Sequence, residues 1–589
     1  MRVEKLDGRR RHETERLTCA ALLIGAVLAT GVPACSAPSP TAASKTAAQR
    51  LAAQNHADYP RPRVIVASDV EIDDVASWHR FWLYANELDI EGLIYTSSRF
   101  HWAGDPEAGI APLTWGGNKV LEQQIEGYAA AYPNLRRHDR RYPSPDELIG
   151  KIRIGNITAP GEMAKNTPGS DLIRQVLLDD KPGAVHLLAW GGTNTFAAAL
   201  RSIEDQYKST RDWVRIYDKV VEKARLYIIL DQDATYTEYI SKNWPDLRTV
   251  YNYDQFLSVA YEPFRRIRTP TDINRDYFGP AFMARIVKGP LLKPYPVTTP
   301  GDTGEPAPPP APPPAKAADG GGPILALNLS TGGPQLRPTC PGGSFYVQPA
   351  LSPERTGGQA TRPAPAGAGG ADDGAFGAGS LISEGDSPSY WHVLQTGLRG
   401  EEDPSWGGWG GRFAKIGKNL WTDRPDIRCA PGPRVRDDIP DADTDAKAES
   451  APLTRWIPAL QNDFLARAGW TMLPPDAANH EPVVRVARVS ADHSVRPGRT
   501  VTVSLETADP DGDALTVTWW QYREAGTYAG QARVTPMPMR SADGATLASA
   551  GVAVPDDARP GDTIHVIAEV SDGGTPTLTR YGRFVLTVR

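Results

Sequence analysis

Cysteine is scarce in this sequence, with four residues among 589. Two of them, Cys19 and Cys35, lie near the N-terminus, which leaves Cys340 and Cys429 for the rest of the chain. Neither of these has a histidine or a second cysteine at the spacing of a zinc site. In an exported protein, two remaining cysteines predict one disulfide between Cys340 and Cys429, and the alternative is a pair of unpaired thiols.

Basic charge is not in excess either. Lysine and arginine number 64 against 70 aspartates and glutamates, so the net charge is −6 and the isoelectric point is about 6.0. This balance gives no basic surface of the kind that binds nucleic acid, so we expect no nucleic-acid partner. A G-x-S-x-G pattern is also absent, and the sequence therefore does not support a serine hydrolase.

The apolar run near the N-terminus is too short and too rich in small residues to predict a membrane span. It covers residues 17–32 and follows Arg9, Arg10, Arg11 and Arg16, which is typical of a targeting segment. Residues 32–35 read Val-Pro-Ala-Cys and resemble a bacterial lipoprotein cleavage site with Cys35 as the lipidated residue. The alternative is plain secretion with cleavage nearby. We therefore expect a periplasmic, cell-surface lipoprotein or secreted protein, with membrane contact only through a lipid anchor.

Composition divides the chain into segments of different character. They are a leader at 1–35, an Ala/Ser/Pro/Gln-rich tether at 36–60, an α/β domain at 61–475 with a Pro/Gly-rich insertion at 297–379, and a β-sandwich of immunoglobulin-like size at 481–589. In the α/β domain, buried strands are expected at 64–67, 90–96, 184–189 and 226–230, with helices between them such as 170–178 and 194–203. This alternation predicts a mostly parallel sheet covered by helices on both faces. The sandwich strands are expected at 501–505, 514–521, 563–570 and 580–588.

Residues 64–74 carry the strongest chemical signal. An apolar β-branched run ends on Asp69, and Asp73 and Asp74 follow at the start of a helix that carries Trp78 and Trp82 at helical spacing. Three carboxylates would then meet at the carboxyl end of a strand, where open α/β folds place their sites. Clustered carboxylates repel one another unless a hard cation such as Ca²⁺ or Mg²⁺ lies among them. Helix capping alone would account for Asp73 and Asp74 but not for Asp69.

The pattern Asp69-Val-Glu-Ile-Asp73-Asp74 resembles the D-x-x-x-D-D signature of nucleoside hydrolases. Residues 190–195 (Trp-Gly-Gly-Thr-Asn-Thr) and 384–388 (Glu-Gly-Asp-Ser-Pro) resemble two further segments of that family. The chain is most similar to the nucleoside hydrolase-like family of cellulose-binding proteins and its C-terminal domain. The segments that carry this resemblance are 83–87, 190–195, 406–412, 461–464 and 519–525.

The resemblance implies a Ca²⁺ cofactor and an Asp-activated water that hydrolyses a glycosidic bond. It implies Asp69 as metal ligand and general base, and Asp73 as the residue that binds a sugar hydroxyl. The implied metal ligands are Asp69, Asp74, Asp386 and the Thr193 carbonyl. The expected substrate contacts are Asp73, Asn194, Ser98, Trp102 and Asp386. The partner is expected to be a carbohydrate or another glycoside.

The sequence departs from the nucleoside hydrolase pattern at positions that would contact the leaving group, whereas the positions of the implied metal ligands are kept. Val70-Glu71 stands in place of Pro-Gly, and Gly385 stands where many nucleoside hydrolases have a histidine. Residues 231–233 (Asp-Gln-Asp) stand in the region of the substrate loop. A purine or pyrimidine nucleoside is therefore not the expected substrate. Two hypotheses remain: a glycosidase acting on an N- or O-glycosidic bond, and a surface protein that binds a polysaccharide such as cellulose without turnover.

Several tryptophans present a choice between sugar stacking and packing. Trp102 follows the second strand and favours a site, whereas Trp406 and Trp409 fit either role equally well. Trp519 and Trp520 are adjacent in a strand, so one is expected in the core and the other at the surface or a domain interface. The segment 509–513 (Asp-Pro-Asp-Gly-Asp) is interpreted as a turn rather than a calcium loop.

Overall fold

A computed structural model describes residues 40–299, 335–337, 346–348, 377–423 and 444–589. Its centre is an eight-stranded sheet in the order β3-β2-β1-β4-β5-β6-β10-β9. The strands are β1 (Arg63–Ser68), β2 (Asp89–Tyr95), β3 (Ile152–Ile154), β4 (Val185–Ala189), β5 (Ala224–Ile229), β6 (Arg248–Asn252), β9 (Ala414–Lys415) and β10 (Leu420–Thr422). All neighbouring pairs are parallel except β9 with β10. This confirms the predicted α/β class, and β1 is an interior strand, third in the sheet order.

Strand β1 is buried at every position because both faces of the sheet are covered. Val64 and Val66 belong to one hydrophobic core, and Ile65 and Ala67 belong to a second core on the opposite face. The two cores follow from the alternation of side chains along a strand.

Helices cover these two faces. They are α1 (Pro40–Asp58), α2 (Ile72–Phe81), α3 (Val120–His138), α4 (Pro145–Ile149), α5 (Pro168–Leu178), α6 (Asn194–Tyr207), α7 (Trp213–Lys223), α8 (Ser241–Asn243), α9 (Glu262–Arg268), α10 (Thr271–Phe278), α11 (Pro280–Ile286), α12 (Gly289–Leu292), α13 (Ser387–Trp391), α14 (Thr444–Thr454) and α15 (Ile457–Trp470). Short 3₁₀ or π turns lie at Trp82–Glu87, Tyr236–Ile240, Gln255–Ser258, Pro475–Ala477, Arg488–Ser490 and Arg523–Ala525. Within these parts of the chain, no helix is long and apolar enough to cross a membrane.

The C-terminal strands form a sandwich of two sheets, as predicted. One sheet has the order β11-β13-β17-β15, with β16 on β17, and the other has the order β12-β19-β18-β14. The strands are β11 (Val483–Arg485), β12 (Asp492–Val495), β13 (Thr500–Ala508), β14 (Thr516–Gln521), β15 (Arg533–Pro536), β16 (Arg540–Ala542), β17 (Ala545–Ala553), β18 (Thr563–Ser571) and β19 (Thr579–Val588). Pairing is antiparallel except between β12 and β19. Trp519 lies in the sandwich core, while Trp520 lies 6.1 Å from the Trp456 ring of the α/β region.

The segment expected to be a tether instead contains α1, whose chain packs on the sandwich. Ala47, Ala48 and Leu51 are buried against Ala508 and Ala545. Alanine and glutamine are good helix formers, and these three positions lie on one face of the helix. The helix therefore buries an apolar face, although the overall composition of the segment is typical of a tether. It is therefore part of the folded unit that spans residues 40–589.

The described part of the Pro/Gly-rich segment includes an antiparallel pair of strands, β7 (Gln335–Arg337) and β8 (Tyr346–Gln348). Cys35, Cys340 and Cys429 lie outside the described residues. The disulfide and the lipidated cysteine therefore stay predictions.

Candidate metal and substrate centre

Three aspartates from distant parts of the chain converge at the carboxyl edge of the sheet. Asp73 and Asp74 lie in the first turn of α2, and Asp386 directly precedes α13. Each offers a carboxylate oxygen, and these oxygens all lie within 4.8 Å of one another. Their spacing suits a hard cation that takes several oxygen ligands.

Asp69, one residue beyond β1 and 1% exposed, lies beside these three aspartates and interacts with Asp74 and Asp386, although its carboxylate is not one of the three whose oxygens lie within 4.8 Å of one another. Both of its carboxylate oxygens are buried and make no hydrogen bond of standard geometry among the described residues, and the side chains of Ser98 and Asp74 are the polar groups that interact with them. One oxygen each of Asp74 and Asp386 is in the same situation. Buried carboxylate oxygens without partners are costly. The donor set therefore fits a divalent cation such as Ca²⁺.

The pKa values of these four carboxyl groups reflect how closely the groups are packed. Burial raises the pKa of Asp69 to about 6. Burial and repulsion from neighbouring carboxylates raise the pKa values of Asp73, Asp74 and Asp386 well above the ordinary range. A positive charge at the centre would reverse these shifts, because it favours the ionised form of each carboxyl group.

Helix capping accounts for part of the cluster. One oxygen of Asp74 accepts a hydrogen bond from the Glu71 backbone N–H at 3.1 Å, and an Asp73 oxygen accepts one from the Asp74 N–H at 3.1 Å. The capping hypothesis thus holds for one oxygen of each residue. It leaves Asp69 and Asp386 unexplained.

A buried ion pair holds the loop that carries Asp386. Arg80 of α2 donates to Glu384 at 2.8 Å, and both side chains are almost fully buried. The Tyr295 hydroxyl also donates to Glu384. The hydroxyls of Ser77 and Ser387 lie 3.1 Å apart. These contacts tie the distal segment to α2 and so set the distance between Asp386 and Asp73.

The segment at the end of β4 passes directly against Asp69. A Cβ atom on Gly191 would lie 2.8 Å from the Asp69 carboxyl carbon, so only glycine fits there without displacement. Two residues later, the Thr193 carbonyl accepts the Ala197 N–H at 2.9 Å as the first bond of α6. The Thr193 hydroxyl lies 2.6 Å from the Thr235 hydroxyl. A carbonyl oxygen has a second lone pair, so this bond leaves Thr193 able to act as a ligand.

Asn194 has a different role from the substrate contact that the resemblance implies. Its side-chain oxygen accepts from Thr96 at 2.6 Å and from the Thr195 N–H at 3.0 Å. Its amide nitrogen donates to Ser97 and to the Asn156 carbonyl, both at 2.9 Å. All these bonds are internal and the residue is fully buried, so Asn194 positions the strand ends.

Ser98 and Trp102 are also held by the chain. The Ser98 hydroxyl accepts from the N–H groups of Phe100 and His101 at 3.0 and 3.2 Å, which leaves its own O–H to donate. The Trp102 ring is 8% exposed and donates to the Ala111 carbonyl at 2.8 Å. Little of its face is therefore free to stack on a sugar, in contrast to the expectation.

Sequence reasoning missed a charged pair beside the acidic centre. The Nε2 atom of His101 lies 3.1 Å from an oxygen of Glu71, and the Tyr261 hydroxyl donates to the other oxygen. Burial lowers the pKa of His101, but Glu71 outweighs it and raises that pKa to about 10. Burial raises the pKa of Glu71, and His101 then brings it below its ordinary value. The departure from the nucleoside hydrolase pattern at residue 71 drew attention to Glu71. No neighbouring residue in the sequence indicated that His101 would pair with it.

The Asp231–Asp233 segment supports the site without joining the acidic cluster. Asp233 accepts the Asn194 N–H at 2.8 Å and the Thr235 N–H at 3.0 Å. Asp231 accepts the Thr237 N–H at 3.1 Å. Both aspartates therefore cap the turns that follow the strands.

The remaining aromatic candidates pack at the sandwich interface. Trp409 is 1% exposed, and the Arg580 guanidinium lies 5.4 Å from its ring. The Trp406 ring lies 4.9 Å from the guanidinium of Arg399 and 5.9 Å from that of Arg583. These contacts favour packing over sugar stacking.

The segment 509–513 forms a turn, as interpreted from the sequence. Asp509 accepts the N–H groups of Asp511 and Asp513 at 2.8 and 2.9 Å through the same carboxylate oxygen.

Comparison with known proteins gives two family matches. Residues 63–413 match the family model described as "Cellulose-binding Sde182, nucleoside hydrolase-like domain". Residues 500–588 match the model described as "Cellulose-binding protein Sde0182, C-terminal domain". No curated protein matches the chain.

A solved structure has the same fold. It is described as a nucleoside hydrolase-related hypothetical protein from Saccharophagus degradans that is associated with carbohydrate metabolism. The TM-score is 0.57 at 24% identity, and the match covers 90% of this chain and all of the other. A GspB Siglec domain and the effector protein XOO4466 also match, but with TM-scores of 0.15 and 0.21.

Proposed function

The chain belongs to the Sde182 family of cellulose-binding proteins with a nucleoside hydrolase-like domain, and on that premise we propose that its acidic centre hydrolyses a glycosidic bond with the help of Ca²⁺. The observation that carries the proposal is the convergence of Asp73, Asp74 and Asp386, with Asp69 interacting with Asp74 and Asp386 beside them. Buried oxygens of Asp69, Asp74 and Asp386 lack donors in hydrogen-bond geometry among the described residues. The family description and the acid-rich centre support a carbohydrate or another glycoside as the substrate.

Asp69, Asp74, Asp386 and the Thr193 carbonyl would hold the cation. When bound, a divalent cation supplies positive charge that acidifies water and attracts hydroxyl oxygens. The chain itself then has two tasks, to accept a proton and to orient the sugar.

Asp69 is the general base of this proposal. A water oxygen bonds to the anomeric carbon while one water proton passes to the Asp69 carboxylate. The bond from the anomeric carbon to the leaving atom breaks, and its electron pair leaves with that atom. The leaving atom then takes up a proton from solvent. Asp73 accepts a hydrogen bond from a ring hydroxyl and so orients the sugar through an oxocarbenium-like transition state.

A second function, binding without turnover, is supported by one specific observation. Gly385 offers no side chain at the place where many nucleoside hydrolases carry a histidine next to the distal aspartate. A centre without that group would still present its carboxylates to a sugar, and the family description names cellulose binding. The two functions share the acidic centre and differ in whether the bond breaks.

The test compares wild type with Asp69→Asn on nucleosides, aryl ribosides and cello-oligosaccharides in the presence of Ca²⁺. The amide cannot accept the proton of water, so we expect at least a hundredfold loss of reducing-sugar release, in line with a general base. Asp276→Asn, on an exposed face of α10, is the matched control and should retain activity. Background release by wild type on every substrate would overturn the hydrolase and leave the binding function.

We also propose export through the N-terminal segment, with Cys35 as the attachment point of a lipid. Fractionation of cells that express wild type and Cys35→Ser tests this. The wild type should appear with membranes and Cys35→Ser in the soluble extracytoplasmic fraction. An equal distribution of both would favour plain secretion.

A further inference from the structure

The loop between β2 and α3 folds back over the start of α2. Its two arms pair at Trp102 with Leu113 and at Asp105 with Ile110. The returning arm then reaches the end of β1, where a Cβ atom on Gly116 would lie 3.0 Å from the Val70 carbonyl oxygen. The loop therefore forms a wall beside the acidic centre.

Contacts at the base of the loop fix this wall. The Thr114 carbonyl lies 2.9 Å from Nδ1 of His101, and the Thr114 hydroxyl donates to the Phe100 carbonyl at 2.7 Å. His101 in turn pairs with Glu71. The loop, the charged pair and the first turn of α2 are thus joined by short bonds.

Two apolar side chains in these segments reach solvent, one on the first turn of α2 and one on the returning arm between Thr114 and Gly116. Ile72, between Glu71 and Asp73, is 42% exposed. Trp115 is half-buried; its ring packs against Tyr95 at 6.4 Å, and its indole N–H bonds Asn118 at 2.8 Å on the solvent side. A partly exposed indole next to a polar centre suits the apolar C–H face of a sugar ring.

The charged pair adds hydrogen-bond acceptors. Both ring nitrogens of His101 are engaged, one with the Thr114 carbonyl and one with Glu71. The Glu71 oxygens accept from His101, from Tyr261 and, in the capping box of α2, from the Asp74 backbone N–H, so at least one lone pair remains on a carboxylate whose side chain is 13% exposed. A sugar hydroxyl that donates a hydrogen bond satisfies this acceptor. A phosphate or a uronate would be repelled, because carboxylates outnumber cationic groups here.

We propose that Trp115, Ile72 and the Glu71–His101 pair form a second sugar subsite, on the leaving-group side of the acidic centre. The inference rests on the proposed function and narrows it: the substrate is a neutral oligosaccharide, in which a second sugar ring takes the place of a nucleobase. The ring stacks on Trp115 and donates hydroxyl hydrogens to Glu71.

The test measures binding by calorimetry in an Asp69→Asn background, which prevents turnover, with the Ca²⁺ concentration raised to offset the loss of one charged ligand. Cellobiose and cellotetraose are compared with glucose, ribose and adenosine. Trp115→Ala should weaken cello-oligosaccharide binding about tenfold and leave monosaccharide binding within twofold, because only the second ring stacks there. Trp115→Phe should retain most of the affinity, since it keeps an aromatic face.

Two further variants keep the result interpretable. Ile72→Ser changes an exposed position and should weaken the same ligands about threefold. Val214→Ala, 69% exposed on α7, is the control and should change nothing. An unaltered melting temperature in each variant shows that the fold is intact.

Three outcomes would overturn the subsite. They are equal losses for mono- and oligosaccharides, unchanged binding in Trp115→Ala, and tighter binding of adenosine than of cellobiose by the background protein. Failure of the hydrolase proposal is seen separately as absence of turnover by wild type, and it leaves the binding comparison valid.

Discussion

Gly385 lies directly against Asp73: a Cβ atom on residue 385 would stand 2.8 Å from Oδ2 of Asp73. No real Cβ atom tolerates that distance to a buried carboxylate, so Asp73 fills the space that a side chain at 385 would need. The glycine before Asp386 is thereby linked to the position of Asp73 in the acidic centre. A histidine at this position would compete with Asp73 for the same volume.

Replacing Gly385 should therefore disturb the cation centre. Gly385→Ala is expected to cost about 1–3 kcal/mol of stability, because it overpacks a closed site, and Gly385→His should cost more. Both should weaken any stabilisation by Ca²⁺. Gly417→Ala is the control, since its nearest neighbour is a Leu420 carbon at 3.6 Å. Melting curves with and without Ca²⁺ measure the effect, and an unperturbed Gly385→His would contradict this packing.

Calcium should raise the melting temperature of the wild type. At a Ca²⁺ concentration of a hundred times Kd, binding to the folded state alone adds about 2.7 kcal/mol. Asp74→Asn and Asp386→Asn should lose most of this gain, because each removes a charged ligand. Chelation with EDTA should reverse it in the wild type. Asp276→Asn should respond to Ca²⁺ as the wild type does, and a full response in Asp386→Asn would rule out that residue as a ligand.

The Arg80–Glu384 pair should be essential for the distal loop. Arg80→Met leaves Glu384 buried without its cation, which is expected to cost about 3–5 kcal/mol. Arg275→Met removes an exposed pair with Asp276 and should cost less than about 1 kcal/mol. Urea unfolding of the three proteins gives the comparison. Adding Glu384→Gln to Arg80→Met should recover part of the loss, and no recovery would argue against an uncompensated charge as the cause.

Helix α1 should be an integral part of the fold. Leu51→Ala removes a fully buried side chain from the small cluster with Ala508 and Ala545 and should cost about 2 kcal/mol. Gln49→Ala changes an exposed position of the same helix and serves as the control. Limited proteolysis followed by mass spectrometry should show faster cleavage within residues 40–58 for Leu51→Ala. Equally fast cleavage in the wild type would restore the tether interpretation.

The turn at Asp509 should make stability depend on pH. Burial raises the pKa of Asp509 to about 6 from an ordinary 3.8. The folded state then binds more protons than the unfolded state between these values, so this contribution to stability is present at low pH and is lost as pH rises towards 6. Asp509→Asn keeps an oxygen for the two backbone N–H groups and has no charge to bury. Its melting temperature relative to wild type should rise from pH 4 to pH 7, and a constant difference would refute the shift.

The sequence alone determined the elements with clear short-range periodicity. The β-branched run in β1, the helical spacing of Trp78 and Trp82, and the alternating C-terminal segments are of this kind, and the strands and helices named from them lie where the periodicity predicts. Short strands such as β3, β9 and β10 were not predicted, because two or three residues carry no periodicity. The carboxyl edge of the sheet as the place of Asp69, Asp73 and Asp74 followed from the same reasoning.

Only the tertiary structure decided which distant groups share a site and which are already occupied. Asn194 has a family-like position, yet its side-chain amide makes four internal bonds, to Thr96 and Ser97 after β2, to Asn156 after β3 and to the adjacent Thr195. Glu71 and His101 are thirty residues apart, and they meet because a loop folds back over α2. Helix α1 has the composition of a tether, but it packs against the C-terminal sandwich, whose residues lie more than 400 positions further along the chain. Local periodicity cannot encode such contacts, because they depend on where the chain returns in space.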